Sequence, residues 1–331
     1  MSASLTLRFF AGAVAVCCAT GAWAQPSTAK GTTSFPTRSI RLIVGFPPGG
    51  GADLLARIIG EKMSEDLKQQ IVVDNRGGGG GTIATNMVAK AAPDGYNLLL
   101  MSIGIAFAPA LYRNLPYDLE KDLVPVSLLV TQPCVLAIHP SVPAKTVKEF
   151  VALAKSKPGE FLYSSSGSGS AAHLAAELFR ATANINIGHV PYKGGPQIIT
   201  SLLAGEVHMV IAGMATVQPH VRAGKLRGLA TTGITRAKAA PELPTIAEAG
   251  LPGAEFDIWY GMLVPAATPA PIVKTINQSF NRVLAAPDVQ ERIAGAGFEP
   301  LGGTQEKFAT YLKAELKKWS AVVRIAGIRG G

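Results

Sequence analysis

Short apolar runs alternate with segments of helical spacing along most of this chain, and that alternation constrains the fold more than any other feature. Ile40 to Val44 reads as a strand, and Ala52 to Gln69 as a helix with Leu54, Leu55, Ile58, Ile59, Met63 and Leu67 on one side. Ile71 to Val73 is the next strand. The glycine run 77–81 follows, then a helix through Met87 and Val88, then the strand Leu98 to Met101. Successive strands joined by helices need crossover connections, so they pair in parallel beneath a helical layer, which is an α/β fold. The rhythm resumes with a helix over Val147 to Ala154, a strand over Phe161 to Tyr163 and a helix over Ala171 to Arg180. A helix over Gln197 to Leu203 and strands over Val207 to Ile211 and Leu226 to Ala230 come next. Three helices close the chain, the last near Gln305–Arg324 with Phe308, Leu312, Leu316, Trp319 and Val323 at helical spacing.

Two extended apolar stretches, Val124 to Ile138 and Glu255 to Pro265, sit where one α/β unit gives way to another. They read as crossings between two lobes. Lobe one is then discontinuous, 37–134 with 255–331, and lobe two is 135–254. Domains of about 100–200 residues agree with two lobes in a chain of 331. Two lobes joined by two strands make a hinge, with a ligand cleft between them.

The N-terminus reads as an export signal. Arg8 is the only charged residue in 1–24 and precedes the apolar run Phe9 to Ala22, which ends in Ala22-Trp23-Ala24 before Gln25. The run is shorter than the ~20 apolar residues of a membrane span, so cleavage after Ala24 is expected and not anchoring. A short polar lead-in, 25–36, follows. Val16 before Cys17 argues against lipidation there. Cys17 and Cys18 leave with the signal, so Cys134 remains alone, with no internal disulfide possible, and its apolar setting makes it a core thiol. The formal net charge is +9, yet charged residues make up only 16% of the chain, with no long basic run and no aromatics interleaved with Arg and Lys. That excludes a nucleic-acid groove and leaves a mild field attractive to small anions.

Chemistry concentrates in the turns that follow strands, where open α/β sheets place their ligands. Between the first strand and helix stands Gly45-Phe46-Pro47-Pro48-Gly49-Gly50-Gly51-Ala52-Asp53. Its glycines allow close backbone approach, and a helix N-terminus offers free N–H groups and partial positive charge. It spells neither a phosphate-binding loop nor a dinucleotide fingerprint, and the loop alone reads equally well as a tight turn. The second turn, Ser164 to Ser170, is followed by His173 and supplies hydroxyl and N–H donors. A serine hydrolase would need Gly-x-Ser-x-Gly, but Ser166 stands two residues before Ser168. In Val190 to Pro196, Tyr192 could stack on a ligand and Lys193 could pair with an anion, or both could belong to a solvated turn. Ser102-Ile103-Gly104 is a fourth rim. The five histidines show no metal spacing, and no acidic pair suggests acid–base work. Donors without a nucleophile and base fit binding and not catalysis, with no cofactor or metal.

These segments resemble the tripartite tricarboxylate transporter receptors, also called Bug receptors, over nearly the whole exported chain. The resemblance rests on residues 45–53, Val73-Asp74-Asn75-Arg76, Ala91-Ala92-Pro93-Asp94-Gly95-Tyr96, residues 190–195, Tyr260-Gly261 and Pro265 with Thr268-Pro269, all in order. It implies a periplasmic, two-lobed flytrap receptor. Such a receptor grips a small carboxylate (a di- or tricarboxylate or an aromatic acid) and delivers it to one small and one large membrane subunit driven by an ion gradient. It also implies a monomer. Carried onto matching positions, it nominates Phe46, Gly49, Gly50, Gly51 and Asp53 in lobe one, and Ser166, Gly167, Ser168, Ser170, His173, Tyr192 and Lys193 in lobe two; Ser102 joins them from the strand-end reading. Many members carry an aspartate where this chain has Ala212-Gly213-Met214, so Gly213 and Met214 are expected beside an apolar or aromatic ligand body. A ligand sensor for a signalling partner and a hydrolase using Ser168 and His173 stand as the rival readings.

Overall fold

The computed structural model describes residues 35–112 and 114–326. The expected leader over 1–24, with Cys17 and the cleavage site after Ala24, lies outside the described residues, as does most of the lead-in. In chain order the elements are β1 (Ile40–Val44), α1 (Gly51–Leu67), β2 (Ile71–Asn75), α2 (Thr82–Ala89), β3 (Asn97–Ser102), α3 (Gly104–Leu111), α4 (Leu119–Asp122) and β4 (Leu123–Ile138). Then come α5 (Val147–Ser156), β5 (Leu162–Ser165), α6 (Ala171–Ala183), β6 (Gly188–Pro191), α7 (Gly195–Leu203), β7 (Met209–Gly213), α8 (Met214–Arg222) and β8 (Arg227–Thr231). The chain closes with β9 (Asp257–Pro265), α9 (Ala270–Ala285), α10 (Pro287–Gly295), β10 (Glu299–Pro300) and α11 (Gln305–Ala326).

One long strand organises this two-lobed α/β fold. The N-terminal part of β4, Leu123 to Pro133, pairs antiparallel with β9, and β9 pairs antiparallel with β3. Beyond β3 lie β1 and β2, all three parallel. From Cys134 onward β4 pairs instead with β7, and from Val135 with β8 on its other side. β7 continues in parallel to β5, and β5 to β6. The change of partner falls at Pro133, which faces Asp257 in the last β4–β9 pair, where a residue without an N–H interrupts the ladder at least cost.

The parallel strands on each side arise as their apolar runs require. In β1, Ile40, Leu42, Ile43 and Val44 are fully buried, and β3 likewise buries Leu98 through Leu100, because helices cover both faces. Tertiary packing moved some helix ends. α1 stops at Leu67, two residues before the expected end at Gln69, because Lys68 takes a left-handed conformation with φ 53°. Two helices lie where the sequence reading places none. α3 and α8 are short and carry Pro109 and Pro219 inside them, yet each is held between strand ends and neighbouring helices. β7 is displaced by two residues from the expected Val207–Ile211, so Gly213 ends the strand and begins α8. Cys134 is a free, fully buried thiol, as expected. No helix among the described residues is long and apolar enough to cross a membrane.

Candidate functional site

The turn between β1 and α1 is shaped from behind. The Asp53 carboxylate accepts a hydrogen bond from the Gly49 N–H at 3.0 Å and pairs with Arg57 at 3.0 Å. Asn75 Nδ2 donates to the Phe46 carbonyl at 2.9 Å. Burial opposes ionisation of Asp53, but the bonds from Arg57, Gly49 and Asn75 outweigh it and hold the carboxyl below its ordinary range. Gly49 has φ 83°, a conformation that favours glycine. The helix then opens at Gly50 with no side-chain cap, which leaves its first N–H groups for a ligand.

The serine-rich turn after β5 is supported in the same way. Gly167 N–H donates to Ser165 Oγ, Gly169 N–H to His173 Nδ1 at 3.2 Å, and His173 N–H to Ser170 Oγ at 3.3 Å. His173 stacks on His189 with centroids 4.2 Å apart, and His189 stacks on Tyr163 at 4.9 Å. The Tyr163 hydroxyl donates to Glu177 at 2.6 Å, and Glu177 pairs with Arg180. His173 Nδ1 is therefore committed to the backbone. No His173–Ser168 hydrogen bond occurs among the described residues, so the arrangement a hydrolase would need is missing there.

This buttress has a pH consequence. Burial, then the neighbouring His173, pushes the His189 imidazole down to about 4 from its ordinary 6.5. A histidine with a depressed folded pKa contributes stability that is complete above pH 6.5 and is lost as pH falls toward 4. His189→Gln, which can still bond Ser165, is expected to lessen the decline in thermal midpoint between pH 6.5 and 4. Melting curves of both proteins across that window check it; equal slopes contradict it.

Between the two turns lies a small cavity, open in part to solvent. The N-termini of α1, α6, α7 and α8 meet on it through Gly50, Gly51 and Ala52, through Ala171 and Ala172, through Gly195, and through Gly213 and Thr216. Ser102, Ser166, Thr216 and Tyr260 add hydroxyls, while Phe46, Ile198, Ala212 and Ile258 supply apolar wall. Among the described residues, no Lys, Arg, His, Asp or Glu lines it. Each helix N-terminus presents unpaired N–H groups and roughly half a positive charge, so the cavity attracts an anion without a cationic side chain. The walls meet closely. The Tyr112 hydroxyl donates to the Ser168 carbonyl at 2.9 Å, and an added Cβ at Gly194 would lie 2.8 Å from Pro47. This is a closed arrangement.

The nominated residues divide accordingly. Phe46, Gly50, Gly51, Ser102, Ser166 and Gly213 line the cavity. Gly49 stands at its rim against Pro196. Asp53, Gly167, Ser170 and His173 lie behind the turns as supports, and Ser168 contributes its carbonyl to the contact with Tyr112. The structure does not bring Tyr192, Lys193 or Met214 to the cavity. The Tyr192 hydroxyl donates to Glu206, Lys193 is exposed, and the Met214 side chain packs against Gly297. Met214 points away because α8 turns its first side chain toward α10, leaving backbone at the cavity. Ala52, Ala171, Ala172, Gly195, Ile198, Ala212, Thr216, Ile258 and Tyr260 went unnominated. Most contribute backbone or small side chains that carry no signal, whereas Gly195 and Tyr260 belong to the recognised motifs.

Comparison with known proteins gives the family. The family model described as "Tripartite tricarboxylate transporter family receptor" matches residues 55–328. The periplasmic binding protein BugD is 32% identical, with TM-score 0.86 over 90% of this chain and 100% of its own. An R. palustris protein solved with adipate is 36% identical, with TM-score 0.87 over 90% of this chain and 100% of its own. MatC from Rhodopseudomonas palustris, solved with bound malate, is 31% identical, with TM-score 0.83 over 87% of this chain and 100% of its own. A cavity walled by helix N-termini and a match spanning most of the chain lead to one assignment: this chain belongs to the tripartite tricarboxylate transporter receptor family.

Proposed function

We propose that this protein is a periplasmic receptor that captures a small dicarboxylate between two lobes and delivers it to an ion-gradient-driven tripartite transporter. The observation that carries the reading is the meeting of helix N-termini on a cavity that no charged side chain lines among the described residues. Backbone amides and hydroxyls bind a carboxylate without a buried cation, whose desolvation would cost binding energy. The lobes are 37–134 with 255–331, and 135–254. The change of partner along β4 makes Pro133 and Cys134 the pivot of their opening. The leader is removed after Ala24, the receptor acts as a monomer, and its cycle ends in release and not turnover. Relatives solved with adipate and malate support a ligand of that class.

A micromolar dissociation constant corresponds to ~8 kcal/mol. Several charge-assisted hydrogen bonds at roughly 1.5–3 kcal/mol each reach that after association costs. The test is a titration-calorimetry panel of mono-, di- and tricarboxylates, aromatic acids and amino acids against the purified protein. Dicarboxylates are expected to bind at micromolar or tighter concentration and to raise the thermal midpoint. Binding of amino acids alone, or product formation from any ligand, overturns the proposal.

A further inference from the structure

At the floor of the cavity, three polar side chains gather. Among the described residues the Ser102 Oγ and the Gln132 Oε1 have no hydrogen-bond partner, and their residues are 3% and 0% exposed. The Tyr260 hydroxyl belongs to a side chain 5% exposed and takes part in none of the described side-chain hydrogen bonds. They share one face of the sheet. Ser102 pairs across the ladder with Tyr260, Gln132 pairs with Ile258, and Ile258 and Tyr260 are two apart on β9. Gln132 cannot be turned to hide its oxygen, because its Nε2 donates to the Ala296 carbonyl at 3.2 Å. Gly51 and Gly213, both lining the cavity, flank that oxygen. An added Cβ on Gly51 would lie 3.6 Å from it and 3.2 Å from the Tyr260 hydroxyl, and one on Gly213 would collide with it.

Resting on the carboxylate reading above, we propose that Ser102, Tyr260 and Gln132 form a subsite for a neutral hydroxyl group on the ligand, and that Gln132 sets this specificity. The set has two hydroxyls able to donate and one amide oxygen able only to accept. A second carboxylate there could use the hydroxyls but would face the Gln132 oxygen with no proton to offer. A ligand hydroxyl, with one proton and two lone pairs, can donate to Gln132 and accept from Ser102 and Tyr260. A site built around a ligand hydroxyl discriminates strongly against the analogue without it, because its own buried polar atoms are then left unpaired.

The experiment compares matched pairs by titration calorimetry on the purified protein: succinate with each enantiomer of malate, and glutarate with each enantiomer of 2-hydroxyglutarate. In at least one pair, one hydroxylated enantiomer is expected to bind about tenfold or more tightly than its parent. In Gln132→Met that preference is expected to fall to about twofold or less. Tyr260→Phe, nearly isosteric, is a second variant expected to reduce the same ratio should Gln132→Met fold poorly. Equal affinities within every pair in the native protein, or a preference unchanged in a folded Gln132→Met or Tyr260→Phe, overturn the subsite and leave the receptor reading standing. Failure of every acid to bind overturns both.

Discussion

Ala171→Asp is expected to lower dicarboxylate affinity at least about a hundredfold while leaving the unliganded protein as stable as before. Ala171 is the first residue of α6 and lines the cavity at 8% exposure. On the proposed reading, a carboxylate placed there lines the same cavity as the bound anion, about 4 Å away when the two are in contact. Two like charges 4 Å apart at an effective dielectric of 20 repel by roughly 4 kcal/mol, or about a thousandfold in affinity, and solvent screening brings this toward the lower figure. The same charge at the opening of a helix is favourable by about 0.3–1 kcal/mol, so folding does not suffer. Calorimetric titration with the dicarboxylate that binds the native protein most tightly gives the first quantity, and a thermal melt without ligand gives the second. Retained affinity would mean that the anion does not sit at the α6 N-terminus. A joint loss of binding and stability would mean that the substitution disrupted the turn.

Glu315→Leu is expected to lower the thermal midpoint by about 5 °C or more, whether or not ligand is present. Glu315 lies on the buried face of α11, where its Oε2 accepts from Trp259 Nε1 at 2.8 Å and from Trp319 Nε1 at 2.9 Å. Both indoles are almost fully buried, at 1% and 3% exposure. Leucine fits the apolar surroundings but leaves two N–H groups without an acceptor, at about 1–3 kcal/mol each. In a chain of this size each kcal/mol moves the midpoint by roughly 2–4 °C. Glu315→Gln retains an acceptor oxygen and is expected to recover most of the loss. Thermal melts of the three proteins decide it. Because Trp259 stands on β9 beside Tyr260, the pair also fixes the strand that carries one wall of the cavity. A weaker affinity in the leucine variant, at a temperature where it is folded, would show that this anchoring reaches the site.

The elements legible from the residues are those whose side chains report their surroundings. β1, β3 and β4 announce themselves as mostly apolar runs because nearly all their residues are buried. α11 is evident because one side must meet the core. The turns at 45–51 and 164–170 stand out because glycine and serine there answer local needs for a left-handed backbone and for caps. α8 is different. It is short and carries Pro219, so the helical spacing of Met214, Val217 and Val221 is easily passed over, yet its N-terminus forms part of the cavity. Tyr192, Lys193 and Met214 carry chemical groups of the right kind on the right segments, but each side chain points elsewhere.

By itself the sequence determined the α/β alternation, the family, and the two donor-rich turns, since each depends on interactions between residues close in the chain. Only the tertiary structure decided which backbone amides share one cavity and which polar atoms lie unpaired at its floor. A backbone N–H looks the same in every residue but proline, so its direction is written only in the packing of the helices that carry it.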